Sequence, residues 1–281
     1  MAIRKLAAPA ADERNDAAIA TFVEQAAPVM RRDGVLVVQN LFDAALIARL
    51  REQFMVQYRQ YFGKGPHPDA LRVGASRYKF CVALDGAFNT PAVYADPVMM
   101  SLLTTLLGDR MVLASMAAVV AQPDGKETKI HRDHGWLFQE VIDRMVPSYA
   151  IKLAFPLDDL DARTGTTRMW PGTHLQFGPG DRQDEWEDPY LRRGDCILMD
   201  YRVRHQGTAN TSDRVRPLIF LSYTRPWFLD RQNFGANPHH NIPAESWAAI
   251  PEQHRGLFAN ARLGLNGPES GDVDYGGEFD D

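Results

Sequence analysis

Cysteine is nearly absent: Cys81 and Cys196 are the two among 281 residues, far apart and in no CxxC spacing. That excludes a disulfide framework and a thiolate zinc site, and leaves both thiols as buried small apolar groups. Long apolar runs are missing too. The longest, Met111 to Ala121, covers eleven positions and includes Ser115, well short of the roughly 20 residues a spanning helix needs. The opening stretch has no continuous apolar segment and soon carries Asp12, Glu13 and Asp16. This argues against a secretory or transit signal and makes the cytoplasm the expected location. Positive charge is not in excess: the formal net charge is −5, and without the six acids between Asn266 and Asp281 it is +1. A near-neutral body offers no footprint for nucleic acid, and the Gly-rich acidic end reads as a solvated, disordered tail behind a single domain over 1–265.

With 45% hydrophobic and 24% charged residues, the chain has an ordinary globular composition, which excludes collagenous and disordered classes. Three amphipathic helices are expected in the first part. One spans Asp12 to Arg31 with Ala18, Phe22, Val23 and Ala26 inward and breaks at Asp33-Gly34. A strand at Val35 to Val38 follows. Asp43 then caps a helix carrying Leu46, Ile47, Leu50, Phe54 and Tyr58, which ends near Gly63. Lys64 to Pro91 reads as a long irregular excursion. Asp96-Pro97 opens the third helix, with Val98, Leu102, Leu103, Leu106 and Leu107 inward and Gly108 as its stop. From Met111 to Trp227, short apolar or alternating runs (111–121, 148–155, 167–170, 194–199, 216–224) are separated by Gly, Pro and Asp clusters, the texture of a β-barrel or sandwich. A last helix is expected near Ala244 to Leu257. The fold class is therefore mainly β with flanking helices.

Chemistry concentrates in His131-Arg132-Asp133, because residues i and i+2 of an extended segment point to one face. A second imidazole is available at His205, after Gly194-Asp195 and a buried run. Two His and one carboxylate that leave coordination positions open form the facial triad of non-haem Fe(II) oxygenases, although the same ligand types suit zinc.

Together these motifs resemble the phytanoyl-CoA dioxygenase-like family of Fe(II)- and 2-oxoglutarate-dependent oxygenases. The resemblance rests on Asp33-Gly34 and its strand, on HxD at 131–133, and on Gly165 followed by Pro171-Gly172-Thr173-His174. It continues through Gly194-Asp195, His205 and Arg216 eleven residues later. It implies a double-stranded β-helix of the jelly-roll, cupin-like kind, with His131, Asp133 and His205 as iron ligands and Arg216 anchoring the co-substrate 2-oxoglutarate. A guanidinium suits that role because it grips a carboxylate with two hydrogen bonds and stays charged; Arg214 is the runner-up. Hydroxylation, desaturation or cyclisation of a small-molecule substrate with O2 is implied, by a monomer or homodimer. Halogenation is not, since Asp133 supplies the carboxylate that halogenating relatives lack. Where family members often carry a small hydroxyl residue two positions after the distal His, Gly207 stands here, and Thr208 or Ser222 is the expected substitute.

Other candidates have a functional and a plain reading. Lys152 interrupts an apolar strand and either contacts co-substrate or a substrate anion, or faces outward. Arg77 and Lys79 are i and i+2 and either bind an acidic substrate group or form a solvated pair, the pair being favoured. Trp136, Trp170 and Trp227 are substrate contacts or core. His174 is expected to pack in its turn, and His67, His239, His240 and His254 to be exposed. A non-catalytic ligand-binding β-helix and a zinc hydrolase using the same ligands are the rival functions.

Overall fold

Side-chain alternation gives every long strand of this chain two faces, and the computed structural model shows which face is used for what. It describes residues 2–63, 65, 67–176, 185–230 and 239–262, so the expected tail at 266–281 lies outside the described residues. Among the described residues there are ten strands: β1 (Lys5–Ala7), β2 (Val35–Gln39), β3 (Leu71–Gly74), β4 (Arg77–Cys81), β5 (Val112–Ala121), β6 (Ala150–Pro156), β7 (Thr167–Trp170), β8 (Cys196–Asp200), β9 (Arg204–Gly207) and β10 (Arg216–Thr224). Eight of them form one sheet in the order β1-β2-β8-β6-β10-β5-β4-β3, and β7 and β9 form a second, smaller one. Every pair is antiparallel except β1 with β2. This large-and-small sheet pair is the double-stranded β-helix that the resemblance implies.

Helices cover the outer face of the large sheet: α1 (Asp16–Asp33), α2 (Ala44–Gln57), a short α3 (Pro91–Tyr94) and α4 (Pro97–Leu107). The N-caps of α2 and α4 are those read from sequence. Asp43 Oδ2 accepts from Leu46 N at 3.3 Å, and Asp96 Oδ1 accepts from Val98 N at 3.0 Å, filling donors the first helical turn leaves free. Gly34 ends α1 at φ +69°, where a Cβ would also lie 2.5 Å from His174 Nδ1. Both the left-handed backbone and the close ring demand glycine there. On β6, Ile151, Leu153 and Phe155 join the helices in the main core, as do Ile219, Leu221 and Tyr223 on β10. The even-numbered residues of both strands therefore face inward, toward the small sheet.

Several expectations change. Helix α1 begins at Asp16 behind the cap Asn15. The excursion at 64–91 contains the β3–β4 hairpin, whose second strand pairs with β5 from Arg77↔Ala121 to Cys81↔Ala117; its Gly and Pro content hid a real sheet edge. The C-terminal helix is broken by Pro251 into α5 (Ala244–Ala249) and a 3-10 segment, Glu252–Phe258, because proline has no N–H to continue the ladder. His240 is buried, with Nε2 2.7 Å from Leu113 O, and His67, His239 and His254 are half-buried rather than exposed. His174 is buried as expected, and of the cysteines only Cys196 is fully buried. Among the described residues no helix is long and apolar enough to cross a membrane.

One buried polar network fixes the end of β8 beside the site. Arg202 meets Asp200 through Nε and Nη2 at 2.9 and 2.8 Å, and its Nη1 donates to Val146 O at 2.9 Å. Ser148 Oγ adds a 2.6 Å bond to the same carboxylate. Breaking a buried pair strands the remaining charge, so Arg202→Met is expected to cost about 3–5 kcal/mol. In a domain of this size that is roughly 10 °C of melting temperature, measurable by thermal unfolding; an unchanged melting point would contradict it.

Candidate active site

The small sheet brings the HxD segment and the distal histidine together. After β5 the chain turns at Gly125 and runs antiparallel to β9. Thr128 N donates to Gly207 O at 2.9 Å, and His131 and His205 exchange both backbone bonds at 3.0 and 2.9 Å. Directly opposed residues of such a pair have close, parallel side chains, and the two rings lie 4.3 Å apart. Asp133, two residues on, shares their face, anchored by its N–H to Tyr201 O at 2.9 Å. One ligand atom from each of His131, Asp133 and His205 lies within 4.8 Å of the others. His131 is exposed while Asp133 and His205 are buried, so the cluster opens on one side.

Both imidazoles are oriented by the backbone. His131 Nδ1 lies 2.9 Å from Lys129 O and His205 Nδ1 3.0 Å from Val203 O. A carbonyl only accepts, so the proton sits on Nδ1 and the Nε2 lone pair is presented to the cluster. Burial, with His131 and Lys152 beside it, pushes His205 down to about 3 despite Asp133, leaving it neutral as a metal ligand must be. For Asp133 burial works upward, but Lys152, His205 and His131 overcome it and hold the carboxyl well below its usual range. Lys152 is decisive: its Nζ lies 2.7 Å from Asp133 Oδ2 with both side chains buried, and Asp133 Oδ1 faces His205 Nε2 at 3.8 Å. The outward-facing reading of Lys152 is thereby overturned.

These residues line one open cavity of about 120 Å³. Its walls are the inner face of the large sheet, where β10 supplies Arg216, Leu218, Phe220 and Ser222 at every second position. Arg216 is buried, and Nη1 donates to Thr166 O at 3.1 Å and Thr164 O at 3.3 Å while Nε has no hydrogen-bond partner. Arg214, the alternative, is exposed and lies 3.6 Å from Asp161. Arg77 and Lys79 also line the cavity, which corrects the solvated-pair reading. Arg77 is buried, donates to Lys126 O at 3.2 Å and to Thr208 O, and likewise has an unpartnered Nε. A Cβ at Gly207 would meet Arg77 Nη1 at 2.6 Å, so the position expected to hold a hydroxyl is kept clear for a guanidinium. Burial pushes Arg77 down to about 10 and lowers Arg216 further, with Arg77 adding to the latter effect.

Other candidates fall elsewhere. Thr208 Oγ1 accepts from Thr166 N at 2.7 Å and donates to Thr166 O at 3.1 Å, fastening the loop behind Arg216 without lining the cavity; Ser222 does line it. Trp136 stacks under Arg132 at 5.3 Å, Trp227 is 60% exposed against Tyr149, and Trp170 is core. None of the three lines the cavity. Sequence reasoning missed Ser115, Thr128 and Thr167 as lining residues. For Ser115 the i, i+2 alternation along β5 with Ala117 and Val119 was the available signal.

Comparison with known proteins agrees with this geometry. Dioxygenase af480 of Aspergillus fumigatus is 24% identical over 185 residues, covering 64% of this chain and 57% of the relative; the matched part is thus a little over half of that protein. The solved structure of the non-haem alpha-ketoglutarate-dependent epimerase SnoN, from nogalamycin biosynthesis, superposes with a TM-score of 0.54 at 21% identity, covering 73% of this chain and 84% of SnoN. HygX from Streptomyces hygroscopicus, solved with nickel, 2-oxoglutarate and hygromycin B, gives 0.53 at 13% identity over 72% and 87% of the two chains. At these identities the structures speak for the fold. The profile described as Phytanoyl-CoA dioxygenase (PhyH) matches residues 30–218, well over half of the sequence, and the chain belongs to that family.

Proposed function

We propose that this protein is an Fe(II)- and 2-oxoglutarate-dependent oxygenase that hydroxylates an aliphatic carbon of a small molecule while 2-oxoglutarate is oxidatively decarboxylated to succinate. The observation that carries this reading is a buried guanidinium, Arg216, with an unpartnered Nε in the same cavity as the His131–Asp133–His205 cluster. The donor set fits a divalent metal with open positions, and an orphaned buried donor fits an anion. Bound there, iron and 2-oxoglutarate would supply the O2 activation needed to break an unactivated C–H bond.

The chain's own contribution is positioning. His131 and His205 present Nε2 because carbonyls hold their Nδ1 protons, and Asp133 stays ionised because Lys152 neutralises its second oxygen. Arg216 holds the remote carboxylate of 2-oxoglutarate from the opposite end of the face, and the apolar walls exclude water from the reacting carbon. A zinc hydrolase or a passive binding protein using the same three ligands leaves that buried guanidinium without a task. Likeness to the epimerase SnoN supports a second reading, inversion at a substrate C–H centre, which leaves the substrate's oxidation state unchanged and therefore requires an added two-electron reductant to complete the reduction of O2.

Anaerobic addition of Fe(II) and then 2-oxoglutarate to metal-free protein tests the reading. The expected result is the visible charge-transfer band of a chelated 2-oxo acid, followed under 18O2 by labelled succinate and, for a hydroxylase, labelled product. No band, with tightly retained zinc, would favour the hydrolase; unlabelled, epimerised product would favour the second outcome. Lys152→Met removes the partner of Asp133 Oδ2, and outer-shell losses of this kind typically cost 10–100-fold in metal affinity. A drop of about that size in Fe(II) affinity is expected by competition with a chelating dye, and an unchanged affinity would show that Lys152 does not support the ligand.

A further inference from the structure

Ser115 is the one polar residue of β5, set among alanine, valine, leucine and methionine. Ser222 holds a comparable place on β10. The ladder makes them direct partners: Ser222 pairs with Ser115 on one side and with Lys152 on the other. All three are buried and line the cavity, so β6, β10 and β5 together present one row of polar side chains. Directly opposed residues have Cβ atoms about 4.5–5.5 Å apart, which lets one small group touch both serines. Just beyond this row the register shifts: Tyr223 pairs with Leu113, and Ala114 is left over. The bulge turns Leu113 toward the helices, re-aiming the strand as such insertions do, and Ser115 ends the stripe of β5 that lines the cavity.

The neighbouring polar groups have other tasks. Lys152 is held by Asp133 at 2.7 Å. Thr224, the next hydroxyl on β10, donates to Phe228 O at 3.4 Å and does not line the cavity. Arg216 lies six residues from Ser222, roughly 20 Å along an extended strand, so Ser222 does not share a carboxylate with it. Between the two the wall is apolar, with Leu218 opposite Val119 and Phe220 opposite Ala117. Ser222 also meets the Tyr201 phenol, yet a hydroxyl with one donor and two acceptor positions has room for a second partner. Ser115 Oγ makes no hydrogen bond among the described residues. A hydroxyl enclosed by apolar surface is costly until a ligand satisfies it.

We propose that Ser115 and Ser222 are the specificity residues for a neutral oxygen function, a hydroxyl or a ketone, on an otherwise apolar substrate. This rests on the oxygenase reading above. The serines bring hydrogen-bonding capacity without charge, and the lysine beside them already has its counter-ion in Asp133. Because Lys152 joins this row to Asp133, an oxygen bound by the serines lies one lysine side chain away from the ligand cluster and sets which carbons are presented to it.

Calorimetry on protein loaded anaerobically with Fe(II) and 2-oxoglutarate tests it. The probes are straight-chain alcohols from pentanol to decanol, 2-alkanones of the same lengths, and the matching 1-fluoroalkanes and alkanoates. The best alcohol or ketone is expected to bind about tenfold more tightly than the fluoroalkane of its length, a preference within reach of two neutral hydrogen bonds. Ser115→Ala and Ser222→Ala should each remove about threefold of that preference, and the double variant all of it. Fluoroalkane affinity should stay the same in every variant, and the charge-transfer band should form at the same 2-oxoglutarate concentration. A lead for alcohols or for ketones supports the inference and identifies the oxygen function. Alcohols, ketones and fluoroalkanes binding alike, or all failing to bind, would overturn it, as would tighter binding of the alkanoates or a preference that survives in the double variant. Fluoroalkane affinity falling together with the rest would reveal a merely structural role and overturn it too. A band that needs much more 2-oxoglutarate in Ser222→Ala would assign that serine to the co-substrate, with the same consequence. Absence of the band in the parent protein would instead strike the oxygenase reading itself.

Discussion

Asp133→Gly is expected to lower substrate-coupled succinate formation at least about 1,000-fold, equivalent to about 4 kcal/mol of transition-state stabilisation. Two losses combine in this variant. One of three ligand side chains disappears from a cluster whose atoms lie within 4.8 Å of one another, and the buried Lys152 ammonium loses the carboxylate now 2.7 Å away. That ammonium then faces the metal position directly and repels a dication in a low-dielectric site. Metal content after dialysis and succinate release are the measurements, with thermal unfolding run alongside to separate site damage from loss of the fold. A variant that retains iron and full turnover would remove Asp133 from the triad.

Arg216→Ala is expected to raise the KM for 2-oxoglutarate by about 100- to 1,000-fold. Hydrogen bonds to charged groups contribute roughly 1.5–3 kcal/mol each, so a two-bond grip is worth about 3–6 kcal/mol, and the lower part of that range, about 3–4 kcal/mol, corresponds to two to three orders of magnitude in affinity. The turnover number at saturating 2-oxoglutarate should change far less, because the anchor lies at the far end of β10 from Lys152 and the carboxylate ligand it supports. Arg216→Lys should fall between the two, since an ammonium keeps the charge and loses the fork. An unchanged KM in Arg216→Ala would move the anchor elsewhere, and Arg77→Ala would show whether the neighbouring guanidinium takes the role.

Much of this arrangement is legible in the sequence. Asp43 and Asp96 accept from the first turns of their helices, and Gly34 and Gly108 end α1 and α4 with positive φ, because caps depend on residues only a few positions apart. The triad is legible for a related reason: HxD encodes its own shared face, and His205 stands out by residue type after a buried run. Lys152 was not decidable in the same way. Alternation gave Ile151, Leu153 and Phe155 one face and Lys152 the other, but not which face the helices would cover. Trp136 and Trp227 mislead for the opposite reason, since nearness along the chain to a ligand or a strand end says nothing about lining the same cavity.

What the sequence determined by itself is therefore local: which residues cap, which break, which alternate, and which carry ligand and guanidinium chemistry. The tertiary structure decided which of these charges meet. Arg77 reaches the backbone of Thr208 across 131 positions, into space left by the missing side chain of Gly207. Lys79 and Lys152 share a wall because β4 and β6 occupy one sheet with β5 and β10 between them. The physical reason is that a period of two assigns side chains to faces, while pairing with strands remote in sequence fixes which face is enclosed and what stands opposite.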